Sequence, residues 1–202
     1  WSWCLKFLAN CNQRAAAVNM ERMLRVALLS RQELIGLRQE TGIEYDHLSA
    51  GILHIYRDAD VYTGALRRAE DMNKLGLNRK PLSPQDCVEI EPALQSAQSR
   101  GRLAGGIYTP DDESGDAYKF TSKLAAMAGD LGVEFLYGQS IDKLLTRDRR
   151  IEGVVCGNQT FNAGCYVMAL GSYSPLLLKT LGIKLPIYPA KGYSATLAVE
   201  IA

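Results

Sequence analysis

The chain has 202 residues, 47% of them hydrophobic and 22% charged, enough to bury a core in one large domain or two small ones. Its formal net charge is +1, and no basic stripe interleaved with aromatics occurs, which argues against nucleic acid as a partner. Five cysteines in no CxxC pair, and two histidines without an HExxH spacing, argue against a disulfide framework and against a metal centre. Reduced thiols in a cytoplasmic setting is the simplest reading.

Residues 1–10, WSWCLKFLAN, are apolar with one lysine. They read as a core-packed helix end, with a segment lying at a membrane surface as the alternative. Every apolar run is far shorter than the roughly 20 residues a membrane span needs, and no secretory signal is recognisable. The chain starts at Trp1 without a methionine and stops at Ala202 inside an apparent strand, so a piece of a longer polypeptide is expected.

Apolar residues at Met20, Met23, Leu24, Ala27, Leu28, Leu34 and Ile35 predict a helix over 20–39, stopped at Thr41-Gly42. Residues 52–57, ILHIYR, read as a strand. Asp58 and Asp60 are candidate caps for a helix over 61–75, closed by Gly76. Ser83-Pro84-Gln85-Asp86 has the form of a capping box with proline at the first helical position. That helix must end near Glu91-Pro92. A brief strand over 107–109 follows Gly105-Gly106, and then comes an acidic loop through Asp116.

The second half changes character. A helix is predicted over 118–131, stopped by Gly132, with a strand over 133–137 directly after it. Short strands follow over 141–146, 151–155 and 160–162, the last after a Gly157-Asn158 turn. This meander feeds residues 166–170, read as a buried strand that ends at Gly171. A short helix opened by Ser174-Pro175 comes next, then Pro186, Pro189 and Lys191-Gly192-Tyr193. The change of pattern places a boundary at roughly 110–116.

No two of the eighteen glycines are two apart, so GxGxxG occurs nowhere and the chain shows no recognisable phosphate cradle. Ala169-Leu170-Gly171-Ser172 is the strongest local candidate: a glycine after a strand lets backbone approach a ligand, or simply lets the strand turn a corner. Asp111, Asp112, Glu113 and Asp116 favour a solvated connecting loop with one capping aspartate over a cation or acid–base site. His54 favours a packed, hydrogen-bonded histidine over a substrate ligand. Tyr56, Tyr188 and Tyr193 are weak pocket candidates, because tyrosine is common in strands.

The string YVMALGSYSPLLLKTLGIKLPIYPAKGYS resembles the corresponding stretch of the FAD-dependent amino-acid oxidoreductases, the family of glycine oxidase and D-amino-acid oxidase. The family pattern is a strand ending in Ala-x-Gly, a helix, then Pro-x-x-Gly. Ala169-Leu170-Gly171 and Pro189-Ala190-Lys191-Gly192 fill it. Gly51-Ile52-Leu53, Ile90-Glu91-Pro92-Ala93-Leu94, Gly105-Gly106-Ile107-Tyr108, Asp112 to Asp116 and Gly132-Val133-Glu134-Phe135 agree, in the family's order.

The resemblance implies an α+β and α/β fold: the middle section of a Rossmann-like FAD-binding domain plus a mixed helix and antiparallel-sheet substrate domain. It assigns residues 1–112 to the substrate (cap) domain, 113–185 to the central section of the FAD-binding domain, and 186–202 to a return strand. It implies oxidative deamination of D-amino acids such as D-alanine by hydride transfer to flavin. Another FAD-dependent amine or 2-hydroxy-acid oxidoreductase, or a non-catalytic ligand-binding module, are the alternatives. It implies a respiratory-chain electron acceptor, with peripheral association at the inner membrane. FAD contacts fall at Ile141, Ala169, Leu170 and Gly171. His54 and Tyr56 are the substrate-side candidates. The unit with GxGxxG and the substrate-carboxylate arginine lie outside this stretch, so catalysis needs residues beyond it.

Overall fold

The computed structural model describes residues 2–193. The chain divides into two compact units, one of Asn12–Val133 and one joining Trp1–Cys11 to Glu134–Ala202. The first helix, α1 (Ser2–Ala9), belongs to the latter.

The larger unit opens with α2 (Gln13–Thr41). The helix starts well before the apolar periodicity does. Its cap is Asn12, whose side-chain oxygen accepts the Ala15 N–H at 2.9 Å, and the alanines behind it carry the helix to Met20. Gly42, with φ at 63°, closes the other end and donates its N–H to the Arg38 carbonyl. Then follow β1 (Ile52–Tyr56), α3 (Ala59–Lys74), β2 (Lys80–Leu82), α4 (Pro84–Ile90), a 3-10 turn at Pro92–Leu94, α5 (Gln95–Ser99), β3 (Gly105–Thr109) and α6 (Ala117–Asp130). Asp58 caps α3, and Ser83 with Asp86 forms the full capping box of α4.

β3 is the centre of a three-stranded sheet, antiparallel to β1 on one side and β2 on the other. Pro81 is tolerated because β2 is an edge strand. Ile107 on β3 is 1% exposed and packs with Ala65 and Ala69 of α3, while Tyr56 and Tyr62 close over this core. The small alanines let the helix lie close to the sheet. A Cβ on Gly106 would come 2.5 Å from Cys87 Sγ, so only glycine lets α4 pack here. Burial pushes the Cys87 thiol up, assisted by Asp86, which suits a packing residue rather than a nucleophile.

In the second unit β4 (Lys143–Arg147), β5 (Arg150–Cys156) and β6 (Gln159–Phe161) form an antiparallel meander. Asp148 and Arg149, both at positive φ, make the first turn, and a bulge follows Leu145. A 3-10 turn at Gly171–Tyr173, α7 (Ser174–Leu178) and a second 3-10 turn at Lys179–Leu181 complete it.

Two expected strands are absent. Residues 133–137 and 166–170 are irregular, and Val167 is 88% exposed, so the first is not the expected strand and the second is not the expected buried one. Such a strand needs neighbours for its backbone donors and acceptors, and among the described residues none lies alongside. Tyr166 instead latches onto the meander: its hydroxyl donates to the Glu152 carbonyl at 2.9 Å and accepts the Ala163 N–H at 2.8 Å. The 186–202 return strand is irregular over residues 186–193 and otherwise lies outside the described residues.

The boundary read at 110–116 falls inside the larger unit, whose edge is Val133. The fold supplies the reason. Leu48 bridges Ser114, Glu113 pairs with Arg38, Asp46 pairs with Lys119, and the Tyr45 ring meets Phe120 edge-on at 5.0 Å. These contacts bind α6 to the elements before it.

Candidate functional site

The segment leading into β4 and the turn–helix–turn of residues 170–180 line an open cavity of about 430 Å³ in the second unit. Ile141 and Leu170, 29 residues apart in sequence, both line it. Asp142 anchors the entry to β4: its N–H donates to the Val155 carbonyl at 2.8 Å, and its carboxylate accepts the Gly157 N–H at 2.6 Å. Tyr173, Leu176, Leu177 and Thr180 supply the opposite wall. Their spacing is one face of a helix, a signal present in the sequence but hidden behind the Ala-x-Gly turn. Ala169 is exposed and does not line the cavity; Gly171, at φ 52°, turns the backbone between Leu170 and Tyr173.

The cavity has the size and mixed apolar and polar lining that suit a purine nucleoside. Ile141 and Leu170 offer flat apolar contact, and Ser140, Asp142 and Thr180 offer polar atoms. The one charged residue of the lining is a carboxylate, Asp142, which does not suit a pyrophosphate. The residues present therefore fit the adenosine end of FAD and not its phosphates.

His54 and Tyr56 are in the larger unit. His54 is exposed on β1, opposite Ile107 in the strand register. Tyr56 is half-buried, its ring 5.6 Å from Tyr62, and belongs to the packing around Ile107. Tyr188 and Tyr193 are exposed: the first tilts against Trp3 with centroids 5.3 Å apart, and the second lies under Lys191.

The acidic loop is a structural knot. Arg38 grips Glu113 with two bonds of 2.9 and 3.0 Å, and one of its nitrogens also donates to the Tyr45 hydroxyl at 3.0 Å. His47 Nε2 lies 3.2 Å from Glu113, and the Ser49 hydroxyl donates to it at 3.2 Å. Asp116 caps α6 through the Lys119 N–H. Among the described residues no cluster of His, Cys, Asp or Glu has the form of a metal site. The Arg38–Glu113 pair spans 75 positions and left no trace in the sequence.

The Arg38 bonds hold the Glu113 carboxyl below the usual carboxylate range, with smaller help from His47 and Ser49 and against a burial penalty. Its folded pKa lies below its unfolded value of about 4.3. The stability it contributes is therefore complete above that pH and is lost as pH falls through the folded pKa. Glu113→Gln is expected to cost about 2 kcal/mol at neutral pH. It should also flatten the acid limb of the stability curve, as read by urea melts at several pH values. An unchanged acid limb would assign the pH dependence to other carboxylates.

The family model described as FAD dependent oxidoreductase (DAO) matches residues 6–201. A D-amino acid dehydrogenase of Paramagnetospirillum magneticum is 54% identical over 200 residues, covering 99% of this chain and 47% of that protein. One from Dechloromonas aromatica is 47% identical over 206 residues, covering 100% of this chain and 49% of that protein. The chain thus spans about half the length of the curated relatives it matches. L-proline dehydrogenase of P. horikoshii superposes with a TM-score of 0.68 at 24% identity, covering 79% of this chain and 41% of that one. Glycine oxidase of Bacillus cereus superposes at 0.63 and 23% identity, covering 80% and 43%. At these identities the structural likeness is one of fold.

Proposed function

Because this chain belongs to the FAD-dependent oxidoreductase family, we propose that the protein oxidatively deaminates D-amino acids, such as D-alanine, to 2-oxo acids and ammonium. The observation that carries this is high identity across the whole chain to proteins that share one name, D-amino acid dehydrogenase.

The chemistry that FAD would supply is acceptance of a hydride from the substrate α-carbon. Loss of that hydride and a proton leaves an imino acid, which water converts to the 2-oxo acid and ammonium. The part proposed for this chain is binding. Ile141 and Leu170, faced by Tyr173, would hold the adenosine end in the cavity they line. Ala169 and Gly171 would carry the backbone past it. The phosphate-binding groups and the substrate-carboxylate cation are assigned to residues outside these 202. His54, exposed on β1, is the candidate facing the substrate, with Tyr56 fixed behind it by the core. No side chain here is assigned proton transfer.

The electron acceptor is proposed to be a component of the respiratory chain, reached at the cytoplasmic face of the inner membrane. No helix among the described residues is long and apolar enough to cross a membrane. Support for a peripheral contact comes from α1, where Trp3, Leu5, Phe7 and Leu8 are exposed and Trp3 stacks on Phe7 at 5.3 Å. Lys6, Lys179 and Lys184 surround a cavity beside Trp3, which suits an anionic lipid surface. Co-sedimentation with phosphatidylglycerol vesicles but not phosphatidylcholine vesicles checks it.

The substrate assignment is tested by dye reduction with D-alanine, L-alanine, sarcosine and glycolate. Reduction with D-alanine alone is expected. Preference for sarcosine or glycolate would move the protein to another amine or 2-hydroxy-acid oxidoreductase, and no reduction with any of them would favour a binding module.

A further inference from the structure

We infer that β1 is a docking edge, where the sheet of the larger unit takes on a further strand from polypeptide outside these 202 residues. The two three-stranded sheets have four edges among the described residues, and three of them are blunted. β2 has three residues and carries Lys80 and Pro81, and proline cannot donate to a ladder. β4 is bulged after Leu145 and has Lys143 and Arg147 at its ends. β6 has only three residues. β1 has none of these devices. Its five residues, Ile52-Leu53-His54-Ile55-Tyr56, include no proline, glycine, lysine, arginine or carboxylate, and they pair with β3 in one unbroken register. On the other side of β1, alternate backbone N–H and C=O groups face away from β3, and no strand lies alongside among the described residues.

The exposed side chains select an added strand over a partner docked on a face. Ile52 is 37% exposed and Ile55 is 47% exposed. Their odd separation puts them on opposite faces of the sheet. A partner laid on one face would cover only one of them, whereas a strand alongside sets neighbours next to both. The run it matches is apolar and aromatic, so a partner strand rich in Val, Ile, Leu or Phe fits it. The relatives supply the chain from which it comes. This chain covers 47% and 49% of two D-amino acid dehydrogenases that it matches, so about half of such a polypeptide lies outside it. His54 is the third residue of β1, and a strand on the open side would fix its backbone from both sides. The docking edge follows from the sheet and from the relatives' length, and does not depend on the proposed activity.

Amide hydrogen exchange of the intact protein, read peptide by peptide, tests whether the edge is occupied. Every β1 amide is expected to exchange at least about a hundredfold more slowly than an exposed one, whereas a lone edge leaves alternate amides fast. Photo-cross-linking identifies the occupant, with p-benzoylphenylalanine in place of Ile55 and, in a second variant, of Ile52. Both positions are partly exposed, and an unchanged thermal melt confirms that each variant folds. An intramolecular cross-link to a peptide outside these 202 residues is expected. Fast exchange at alternate β1 amides overturns the inference. So does a cross-link to a second copy, a cross-link only to peptides within the 202 residues, or no cross-link from either position.

Discussion

Ile107→Ala lowers the unfolding free energy of the larger unit by about 3 kcal/mol, against about 1 kcal/mol for Ile107→Val. Ile107 is 1% exposed on the central strand of its sheet and fills the space between β3 and α3. A truncation there loses the transfer free energy of the deleted carbons and also leaves a void. The neighbours cannot fill it. Ala65 and Ala69 have no side chain to move inward, and the Tyr62 ring is tethered by its hydroxyl, which donates to the Leu82 carbonyl at 2.9 Å. Burial raises the Tyr62 hydroxyl above its usual range, so it stays a neutral donor. Because the chain has two units, the measurement is amide hydrogen exchange of β1 to β3, which reports this unit alone. A loss under 1 kcal/mol for the alanine variant would mean that the core repacks and that the alanine face of α3 is not rigid.

In the intact protein, Leu170→Asp weakens retention of FAD by roughly ten- to a hundredfold, and Ile141→Asp has a similar effect. Each puts a carboxylate into the lining that the purine is proposed to contact. A polar group buried there without a partner costs roughly 1–3 kcal/mol, which is that range of dissociation constants. Leu170 is half-buried and Ile141 is 39% exposed in the chain without ligand, so both variants should fold. Flavin fluorescence during titration of the apoprotein gives the affinity directly, apart from any assay of turnover. With flavin saturating, the KM for D-alanine should be unchanged, since these residues are assigned to the cofactor and not to the substrate. Unaltered flavin affinity would remove the 430 Å³ cavity from the cofactor site.

What the sequence made legible was local. Asp58, Ser83 with Asp86, and Gly42 all cap the helices they were expected to cap, and the one capping aspartate expected in the acidic loop is Asp116, because a cap is set within four residues. The meander was legible from its alternating short strands and from Gly157-Asn158, which marks its second turn. Long-range relations were not. Nothing in the spelling puts β3 between β1 and β2, or joins Arg38 to Glu113. The two absent strands show the same limit from the other side. The compositions of residues 133–137 and 166–170 suggested strands, but composition says nothing of whether a neighbour is present to pair with them, and both segments are irregular. In the site, Ile141 and Leu170 were found through resemblance and the structure brings them together, while Tyr173 and Leu177 emerged only once the wall opposite was visible.

The central claim, D-amino-acid oxidation with FAD in a protein that carries this chain, is tested most directly by one spectrum. The intact, flavin-loaded protein is mixed with D-alanine without oxygen, and the visible flavin absorbance is followed. The account predicts rapid bleaching with D-alanine and none with L-alanine at the same concentration. A protein that retains flavin but bleaches with L-alanine, sarcosine or glycolate and not with D-alanine would contradict it.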